Sequence, residues 1–199
     1  MLGALLDLVL PRACIGCGGE DGPICAACAA VVGPEEINIG GLIVRAAAPY
    51  EGAVRAALLA YKERGRRDLA RPLGRMLAAG LAPDALLVPV PSSRRAARRR
   101  GGDHVLRLCR TTGRPIVRAL SLTREVADST GLSVTERRRN LAGAMAADAP
   151  PAGGLDVVIV DDIVTSGATL SEAARALRAA GWRPVAAATV AWTPRTSGR

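Results

Sequence analysis

The sequence predicts an α/β fold: a parallel sheet with helices on both faces, preceded by a small N-terminal module built on four cysteines. Apolar runs such as residues 157–160 show no polar alternation, which is typical of strands covered on both faces. Segments with helical spacing lie between these runs, and strands that alternate with helices favour a parallel sheet. Two closely spaced cysteine pairs within the first 28 residues predict the separate module.

Length and composition agree with one such domain and an appendage. The chain has 199 residues, of which 49% are hydrophobic, so a substantial core is expected. We place the cysteine module in residues 1–36 and the α/β domain in residues 37–199. Aromatic residues make up only 2% of the chain and Phe is absent, so aliphatic side chains and Ala must fill the core. The same scarcity argues against aromatic platforms that stack on single-stranded nucleic acid.

The charge and the N-terminus bear on partners and location. A net charge of +9 favours polyanionic ligands such as phosphates, pyrophosphate or nucleic acid. The alternative is that the charge serves solubility and that the Arg-rich composition reflects a GC-rich genome.

Residues 1–10 are Leu-rich but too short to span a bilayer, and they lack the basic start and the cleavage site of a signal peptide. We therefore expect a cytoplasmic protein without a membrane span.

The elements follow one another as short strands and amphipathic helices. The predicted strands cover residues 42–44, 86–90, 157–160 and 185–191. The predicted helices cover residues 2–10, 54–61, 69–81, 104–110 and 170–180. Pro72 is tolerated because it lies in the first turn of its helix. Residues 116–120 are either a strand or the end of a connector, and residues 125–145 are polar with little apolar periodicity.

The segment from residue 157 to residue 169 carries the strongest functional signal. Asp161 and Asp162 follow the buried strand, where they are placed to hold ribose hydroxyls or Mg²⁺. The loop that leads into the next helix consists of Thr165, Ser166, Gly167, Ala168 and Thr169. Unpaired N–H groups and a positive dipole at a helix N-terminus suit a phosphate, which a glycine lets approach closely. The alternative is an ordinary N-capped turn, but capping does not require consecutive buried acids.

The cysteine pattern is the second strong signal. Two C-x-x-C pairs consist of Cys14 with Cys17 and Cys25 with Cys28. Four thiolates form the tetrahedral ligand set that structural Zn²⁺ prefers, and they leave no open position for catalysis. A pair of disulfides, redox-active thiols or an iron–sulfur cluster are the alternatives. A chain without an export signal is expected to keep its thiols reduced, which favours zinc.

His104 and Cys109 are further candidates for chemistry, but we interpret both as structural residues. His104 is the only histidine, so a multi-histidine metal centre is excluded, and so is a Ser-His-Asp triad unless His104 joins it. Its surroundings predict a residue of a turn or of a helix start. Cys109 stands alone in an apolar helical stretch and is expected to be a small buried hydrophobic residue.

The strand, acid pair and loop resemble the motif that binds 5-phosphoribosyl 1-pyrophosphate (PRPP) in type I phosphoribosyltransferases. The resemblance implies that Asp161 and Asp162 contact the ribose 2′- and 3′-hydroxyls. It also implies that the loop of residues 165–169 cradles the 5′-phosphate.

Within that superfamily, nearly the whole chain resembles the ComF-type proteins, which are linked to competence and DNA uptake in bacteria. The cysteine pairs and the phosphate loop are the specific features. The softer motifs, in the same order as in the family, are Tyr61-Lys62, Val88-Pro89-Val90-Pro91, Arg94-Arg95, Arg99-Arg100-Gly101, Gly131-Leu132-Ser133, Arg137, Asn140 and Gly143-Ala144. The chain departs from the family at Gly102-Asp103-His104, where many relatives have an aromatic residue, Asn and Gln. It departs again at Ser129-Thr130, where relatives often have Gln.

The resemblance implies a mechanism in which PRPP binds as its Mg²⁺ complex. The loop of residues 92–95, with Ser93, Arg94 and Arg95, would bind the pyrophosphate that leaves as C1′ becomes oxocarbenium-like. Residues 125–140 would close over the site and bring in Arg137. For each of these arginines the alternative is a solvated surface charge.

A rival interpretation is a non-catalytic nucleic-acid-binding accessory protein. In it, the zinc module and the basic run of residues 94–100 grip phosphate backbones, since non-specific binding needs only clustered cations. A free-standing zinc scaffold is a third interpretation, but it leaves the phosphate loop unexplained. Single-stranded DNA, the DNA-uptake machinery and a second copy of the chain remain open as partners beside PRPP.

Overall fold

The computed structural model describes residues 13–29, 35–124, 134–151 and 154–194, apart from the side chains of Val134, Arg137 and Arg138. In these residues the strands are β1 (Glu35–Ile39), β2 (Leu42–Pro49), β3 (Leu87–Pro89), β4 (Leu120–Leu122), β5 (Met145–Ala147), β6 (Asp156–Val164) and β7 (Arg183–Trp192). The helices are α1 (Gly52–Glu63), α2 (Ala70–Ala79), α3 (Arg94–Arg100), α4 (His104–Thr111), α5 (Val134–Leu141) and α6 (Ala168–Ala179). A 3₁₀ turn at Arg67–Leu69 precedes α2.

A mostly parallel sheet forms the centre of the molecule, which confirms the predicted fold class. Its strand order is β1-β2-β7-β6-β3. The strands β2, β7, β6 and β3 run parallel, and β1 joins the edge of the sheet antiparallel to β2. The strands β4 and β5 form a separate antiparallel pair. The parallel strands end at one edge of the sheet, which is where α/β folds place ligands.

Helices cover both faces of the sheet, and aliphatic residues fill the space between the layers. On one face α1, α2 and α4 pack with residues such as Leu73, Leu77 and Leu108. On the other face α6 and the β4–β5 pair pack around Leu170 and Leu177. Many of the strand positions beneath these helices are Ala, so the helices lie close to the sheet without any Phe.

The cysteine module packs against the start of α1. Cys14, Ile24 and Cys25 are buried in the same core as the α1 side chains. The approach is tight, since a Cβ added at Gly16 would lie 2.6 Å from the Cβ of Ala53. The predicted boundary between residues 36 and 37 falls inside β1, which begins at Glu35. The division into two domains stays a prediction.

The structure corrects several predicted element boundaries. The strand predicted for residues 157–160 continues as β6 to Val164, so the acid pair lies within the strand. The following helix begins at Ala168, two residues earlier than predicted. The strand predicted for residues 42–44 is one arm of the β1–β2 hairpin. The basic run that we left without an element is the helix α3.

Other predictions concern less regular segments. Of residues 116–120, only Ile116 and Leu120 take part in strand pairing, at a single bridge and at the start of β4. The polar stretch of residues 125–145 contains the short helix α5. The helix predicted for residues 2–10 lies outside the described residues. None of the described helices is long and apolar enough to cross a membrane.

The contact between α2 and α4 gives a stability prediction. A Cβ at Gly74 would collide with Thr111 Oγ1 and lie 2.9 Å from Thr111 Cβ. Thr111 is β-branched and its hydroxyl donates to Leu108 O, so it is held in place. We therefore expect Gly74→Ala to lower the free energy of unfolding by about 1–3 kcal/mol in urea titrations.

The matched control is Gly80→Ala at the end of the same helix. The added Cβ there would lie 3.5 Å from the nearest atom, and the φ of −93° suits any residue. Its expected effect is below about 1 kcal/mol. Equal losses of stability in the two variants would contradict the described α2–α4 contact.

Candidate functional site

A polar cleft of about 1240 Å³ lies at the carboxyl ends of β3 and β6. Four helices surround it: α1 ends at the cleft, and α3, α4 and α6 begin there. The end of α1 contributes Lys62, and the segment after β3 contributes Ser92 and Arg95. The start of α4 contributes His104, and β6 contributes the acid pair. A cleft at this edge of a parallel sheet, with cations facing carboxylates, is suited to a phosphorylated ligand.

Asp162 is the centre of the polar contacts in the cleft. Its side chain is only 6% exposed, so the negative charge requires nearby donors. Lys62 Nζ lies 2.8 Å from Asp162 Oδ2, and His104 Nε2 lies 3.1 Å from the same oxygen. Both donors therefore reach the same carboxylate oxygen.

The two acids differ in their tendency to ionise. Burial raises the pKa of Asp162, but the His104 hydrogen bond and the Lys62 charge outweigh it and hold that pKa well below its usual range. Burial and the adjacent Asp162 charge raise the pKa of Asp161 well above its usual range. Asp161 Oδ1 accepts a hydrogen bond from the backbone N–H of Asp162 at 2.8 Å. The free site therefore favours one negative charge, held on Asp162.

His104 is fixed from three sides at the first residue of α4. Asp103 caps this helix by accepting from the N–H groups of Val105 and Leu106. The Asp103 carboxylate also accepts from Ser92 N at 3.0 Å, and Ser92 Oγ lies 3.1 Å from His104 Nδ1. The buried Tyr61 hydroxyl donates to His104 O at 2.7 Å. The start of α4 thus links the segment after β3 to the acid pair on β6.

The loop after β6 makes a tight glycine turn into the N-terminus of α6. Gly167 is the residue before α6 and has a φ of 75°, a region that favours glycine. A Cβ at this position would also collide with Ile39 at the tip of the β1–β2 hairpin. Ser166 Oγ accepts from Ala168 N at 3.4 Å, and Thr169 lies in the cleft wall with Thr165. The start of α6 therefore lies beside the cleft, with Thr165 and Thr169 in its wall.

The segment after β3 provides cations. Ser93 caps α3 through a 3.2 Å hydrogen bond from Ala96 N. Arg95 is exposed and belongs to the cleft wall, whereas the exposed Arg94 does not. Arg99 and Arg100 also line the cleft, and each lies 3.3–3.4 Å from a Glu63 carboxylate oxygen. Arg100 Nε is buried and has no partner among the described residues.

The structure brings many of the predicted site residues into one cleft. Asp161, Asp162, Thr165, Thr169, Ser93 and Arg95 line it, whereas Ser166, Gly167 and Ala168 form the adjoining turn. The side chain of Arg137 and the motif of residues 131–133 lie outside the described part of the chain. Lys62 and His104 are functional candidates that we did not assign to the site. The Tyr61-Lys62 motif and the single histidine after a helix-capping acid were the available signals.

Four thiols form a second cluster, at the opposite end of α1. The Sγ atoms of the two C-x-x-C pairs all lie within 4.8 Å of one another. Cys17 Sγ and Cys25 Sγ are 3.8 Å apart, which equals the edge of a tetrahedron with Zn–S bonds of about 2.3 Å. Backbone N–H groups of Gly16 and Cys25 donate to Cys14 Sγ at 3.4 and 3.3 Å. The donor set therefore fits a structural metal such as zinc.

The electrostatics of the cluster agree with metal binding. Backbone N–H groups, led by those of Cys17 and Cys25, lower the pKa of Cys14 to about 6. Hydrogen bonds with the thiols of Cys25 and Cys14 raise the pKa of Cys28 to about 12. The thiolate is thus favoured at Cys14 and disfavoured at Cys28, and a bound cation would replace the remaining protons. Cys109 lies apart in α4, where burial raises its pKa to about 12.

One known protein family matches the second half of the chain. Residues 105–198 match the model of the phosphoribosyl transferase domain, which supports the type I phosphoribosyltransferase superfamily. No curated protein matches the chain at a significant level. The matched segment contains the acid pair and the loop after β6. The domain indicates phosphoribosyl-group transfer or PRPP binding.

Asp161 favours its protonated form and Asp162 its ionised form, and this difference gives a prediction on stability. Because the folded-state pKa of Asp161 is raised, the stability that its proton provides is lost as pH rises above about 4. We expect Asp161→Asn to be more stable than the wild type, with a gain that is larger at pH 8 than at pH 5. Urea titrations without Mg²⁺ measure both values.

Asp162→Asn should act in the opposite direction. The lowered pKa of Asp162 provides stability above the unfolded pKa of about 4, which is lost only as pH falls below it. Removing this charge leaves Lys62 and His104 without their shared anionic partner, so we expect a loss of about 3 kcal/mol at both pH values. If Asp161→Asn and Asp162→Asn changed the free energy of unfolding in the same direction at pH 8, the described charge distribution would be contradicted.

The thiol cluster predicts one bound zinc ion per chain. We expect Cys17→Ser to lose the metal in elemental analysis and to lower the melting temperature, because one of four ligands is removed. Cys17 is exposed, so the substitution itself costs little packing. Cys109→Ala is the matched control and should keep the metal, and metal loss in that variant would contradict the assignment.

Proposed function

We propose that the protein is a ComF-type phosphoribosyltransferase that binds PRPP as its Mg²⁺ complex and transfers the phosphoribosyl group to an acceptor. One observation carries this proposal: a single cleft combines a buried acid pair, a glycine turn at a helix N-terminus and a cationic segment after β3. These three features would serve the ribose, the 5′-phosphate and the pyrophosphate of PRPP, respectively.

The 5′-phosphate and the ribose would bind at the end of β6. The N–H groups of Gly167, Ala168 and Thr169 and the hydroxyls of Thr165 and Ser166 would hold the phosphate at the start of α6. Asp162 Oδ1 and the Asp161 carboxyl would accept hydrogen bonds from the ribose hydroxyls. Ile39 packs directly against Gly167 and fills the space that a side chain at this position would need. This contact stabilises the glycine turn.

The pyrophosphate would bind along the segment after β3 and the first turn of α3. Ser93 and Arg95 line the cleft there, and Arg94 is one residue away on the exposed side of the helix. Mg²⁺ would arrive on the pyrophosphate of the substrate. Negative charge grows on the leaving group as its bond to C1′ breaks, so positioned cations stabilise the transition state more than the ground state. Arg137, from α5, would add a further cation by closing over the substrate.

Zinc would have a structural role at the far end of α1. The cysteine module packs against the first turn of this helix, and the last turn carries Lys62 into the cleft. A metal that fixes the module therefore supports the position of Lys62 beside Asp162.

Calorimetric titration of Mg²⁺–PRPP into the zinc-loaded protein tests the proposal. Loss of two hydrogen-bond acceptors for the ribose, one of them charged, should weaken binding by at least about 100-fold in an Asp161→Ala/Asp162→Ala variant. Asp156→Ala is the matched control, since Asp156 lies on the same strand but pairs with Arg183 at its other end. No saturable binding by the folded wild type, or equal losses in the two variants, would contradict the assignment.

The exposed arginines of α3 support a second candidate function, binding to nucleic acid in DNA uptake. Arg94, Arg95, Arg98 and Arg99 are all exposed along this one helix. A backbone binder of this kind loses affinity steeply with salt, by a slope close to the number of phosphates contacted. Reversal of Arg94 and Arg98 to Glu should then weaken binding to single-stranded DNA in 50 mM salt by about tenfold or more. Unchanged binding would leave only the PRPP site.

A further inference from the structure

One face of α3 presents arginines to the cleft. The residues of this helix that line the cleft share a single helical face and are Arg95, Ala96, Arg99 and Arg100. The side chain of Arg99 is 67% exposed, whereas that of Arg100 is only 13% exposed. Arg100 is therefore the arginine of this face that packing holds in a defined position.

The backbone at the end of α3 is anchored to two neighbouring segments. Gly101 follows Arg100 and closes the last helical turn with a φ of 65°. The carbonyl oxygen of Gly101 accepts from Arg67 Nη2 at 3.2 Å and from Arg107 Nη2 at 3.0 Å. Arg100 thus extends into the cleft wall from a fixed backbone, which is what a precise binding residue requires.

The guanidinium of Arg100 has an open hydrogen-bonding edge. A guanidinium binds a carboxylate or a phosphate most strongly when two of its N–H groups donate side by side. Arg66 binds Asp68 in this way, with contacts of 3.0 Å from Nε and 2.7 Å from Nη2. On the same edge of Arg100, Nη2 has a 3.3 Å contact with Glu63 Oε1, and Nε is buried without a partner among the described residues. The bidentate capacity of Arg100 is therefore unused.

Glu63 is a weak counter-ion for the arginines of this face. Its carboxylate oxygens lie 3.3 Å from Arg100 Nη2 and 3.4 Å from Arg99 Nη2, and its side chain is 46% exposed. Ion pairs this exposed contribute little free energy. Of the residues that line the cleft in the described ranges, four are Lys or Arg and three are Asp or Glu, and Asp161 favours its protonated form. An anion that enters the cleft can therefore replace the Glu63 carboxylate.

Lys62 belongs to the same positive region but is already paired. Burial lowers the pKa of Lys62, contacts with Asp162 and Asp161 raise it above its usual value, and the nearby Arg100 charge opposes that rise. Lys62 Nζ lies 2.8 Å from Asp162 Oδ2, whereas the shortest contact of Arg100 with a carboxylate is 3.3 Å. Of these two cations, Arg100 is the one that is available to a ligand.

We propose that Arg100 binds a diphosphate group through its open edge, and that Glu63 is the counter-ion that this ligand displaces. The inference rests on the proposed function, in which the diphosphate is the pyrophosphate of PRPP. It extends the pyrophosphate site from residues 93–95 to the last turn of α3. Arg95 and Arg100 are about 7.5 Å apart along the helix axis, so their long side chains can reach the two phosphoryl groups of one ligand.

Calorimetric titrations with three ligands test the assignment of Arg100. The probes are Mg²⁺–pyrophosphate, Mg²⁺–PRPP and ribose 5-phosphate, which lacks the diphosphate. We expect Arg100→Gln to weaken binding of the first two by about tenfold or more, because a charged bidentate contact is lost. Its affinity for ribose 5-phosphate should stay within about twofold of the wild type. Equal losses for all three ligands would overturn the proposal, because they would show a structural role.

Two further variants separate a specific contact from a change in net charge. Arg64 is an exposed arginine next to Glu63 that does not line the cleft, so Arg64→Gln should bind all three ligands within about twofold of the wild type. Arg100→Lys keeps the charge but lacks the fork, and should still weaken pyrophosphate binding by about threefold or more. Equal losses in Arg64→Gln and Arg100→Gln, or wild-type affinity in Arg100→Lys, would overturn the bidentate contact.

Glu63 permits a separate test with an exposed residue. Glu63→Gln removes the anion that competes for Arg99 and Arg100, so Mg²⁺–pyrophosphate should bind about threefold more tightly or better. Glu51→Gln is the matched control, because Glu51 is exposed at the start of the same helix, makes no capping hydrogen bond and lies outside the cleft. Unchanged or weaker pyrophosphate binding by Glu63→Gln would overturn the displacement.

Failure of this inference can be told apart from failure of the proposed function. Wild-type protein that does not bind Mg²⁺–PRPP would overturn the proposed function. Wild-type protein that binds Mg²⁺–PRPP, together with an Arg100→Gln variant that binds it and Mg²⁺–pyrophosphate equally well, would overturn only the role of Arg100.

Discussion

The buried charge of Asp162 is the constraint on which the rest of the site depends. A carboxylate within a core strand is strongly unfavourable unless donors surround it. Lys62 from α1 and His104 from α4 supply those donors at 2.8 and 3.1 Å. Both helices must therefore end or begin at the carboxyl edge of the sheet. The same requirement brings the Ser92 segment into the cleft, because Asp103 and His104 bind it from the start of α4.

The helix α1 joins the two polar clusters of the molecule. Its first turn packs against the cysteine module so closely that Gly16 has no room for a side chain beside Ala53. Its last turn carries Lys62 to Asp162 and Glu63 to the arginines of α3. The helix α1 thus connects the cysteine module to the cleft.

Sequence reasoning succeeded where the relevant residues are neighbours along the chain. The alternation of strands and helices gave the fold class, and the thiol cluster and the turn after β6 are local motifs. It failed for contacts between distant segments: Lys62 and His104 lie 100 and 58 residues from Asp162. The β1–β2 hairpin was missed although Gly40 and Gly41, with positive φ, are a turn signal. The two acids suggested the end of a strand because they are polar. The strand pairing nevertheless continues beyond them to Val164.

The most direct test of the account is a crystal structure of the protein with Mg²⁺ and PRPP. The account predicts the 5′-phosphate on the N–H groups of residues 167–169 and the ribose hydroxyls on Asp161 and Asp162. It also predicts the pyrophosphate beside Ser93 and Arg95, with Lys62 and His104 still on Asp162. A ligand bound at the exposed face of α3, or a ribose directed away from the acid pair, would contradict it.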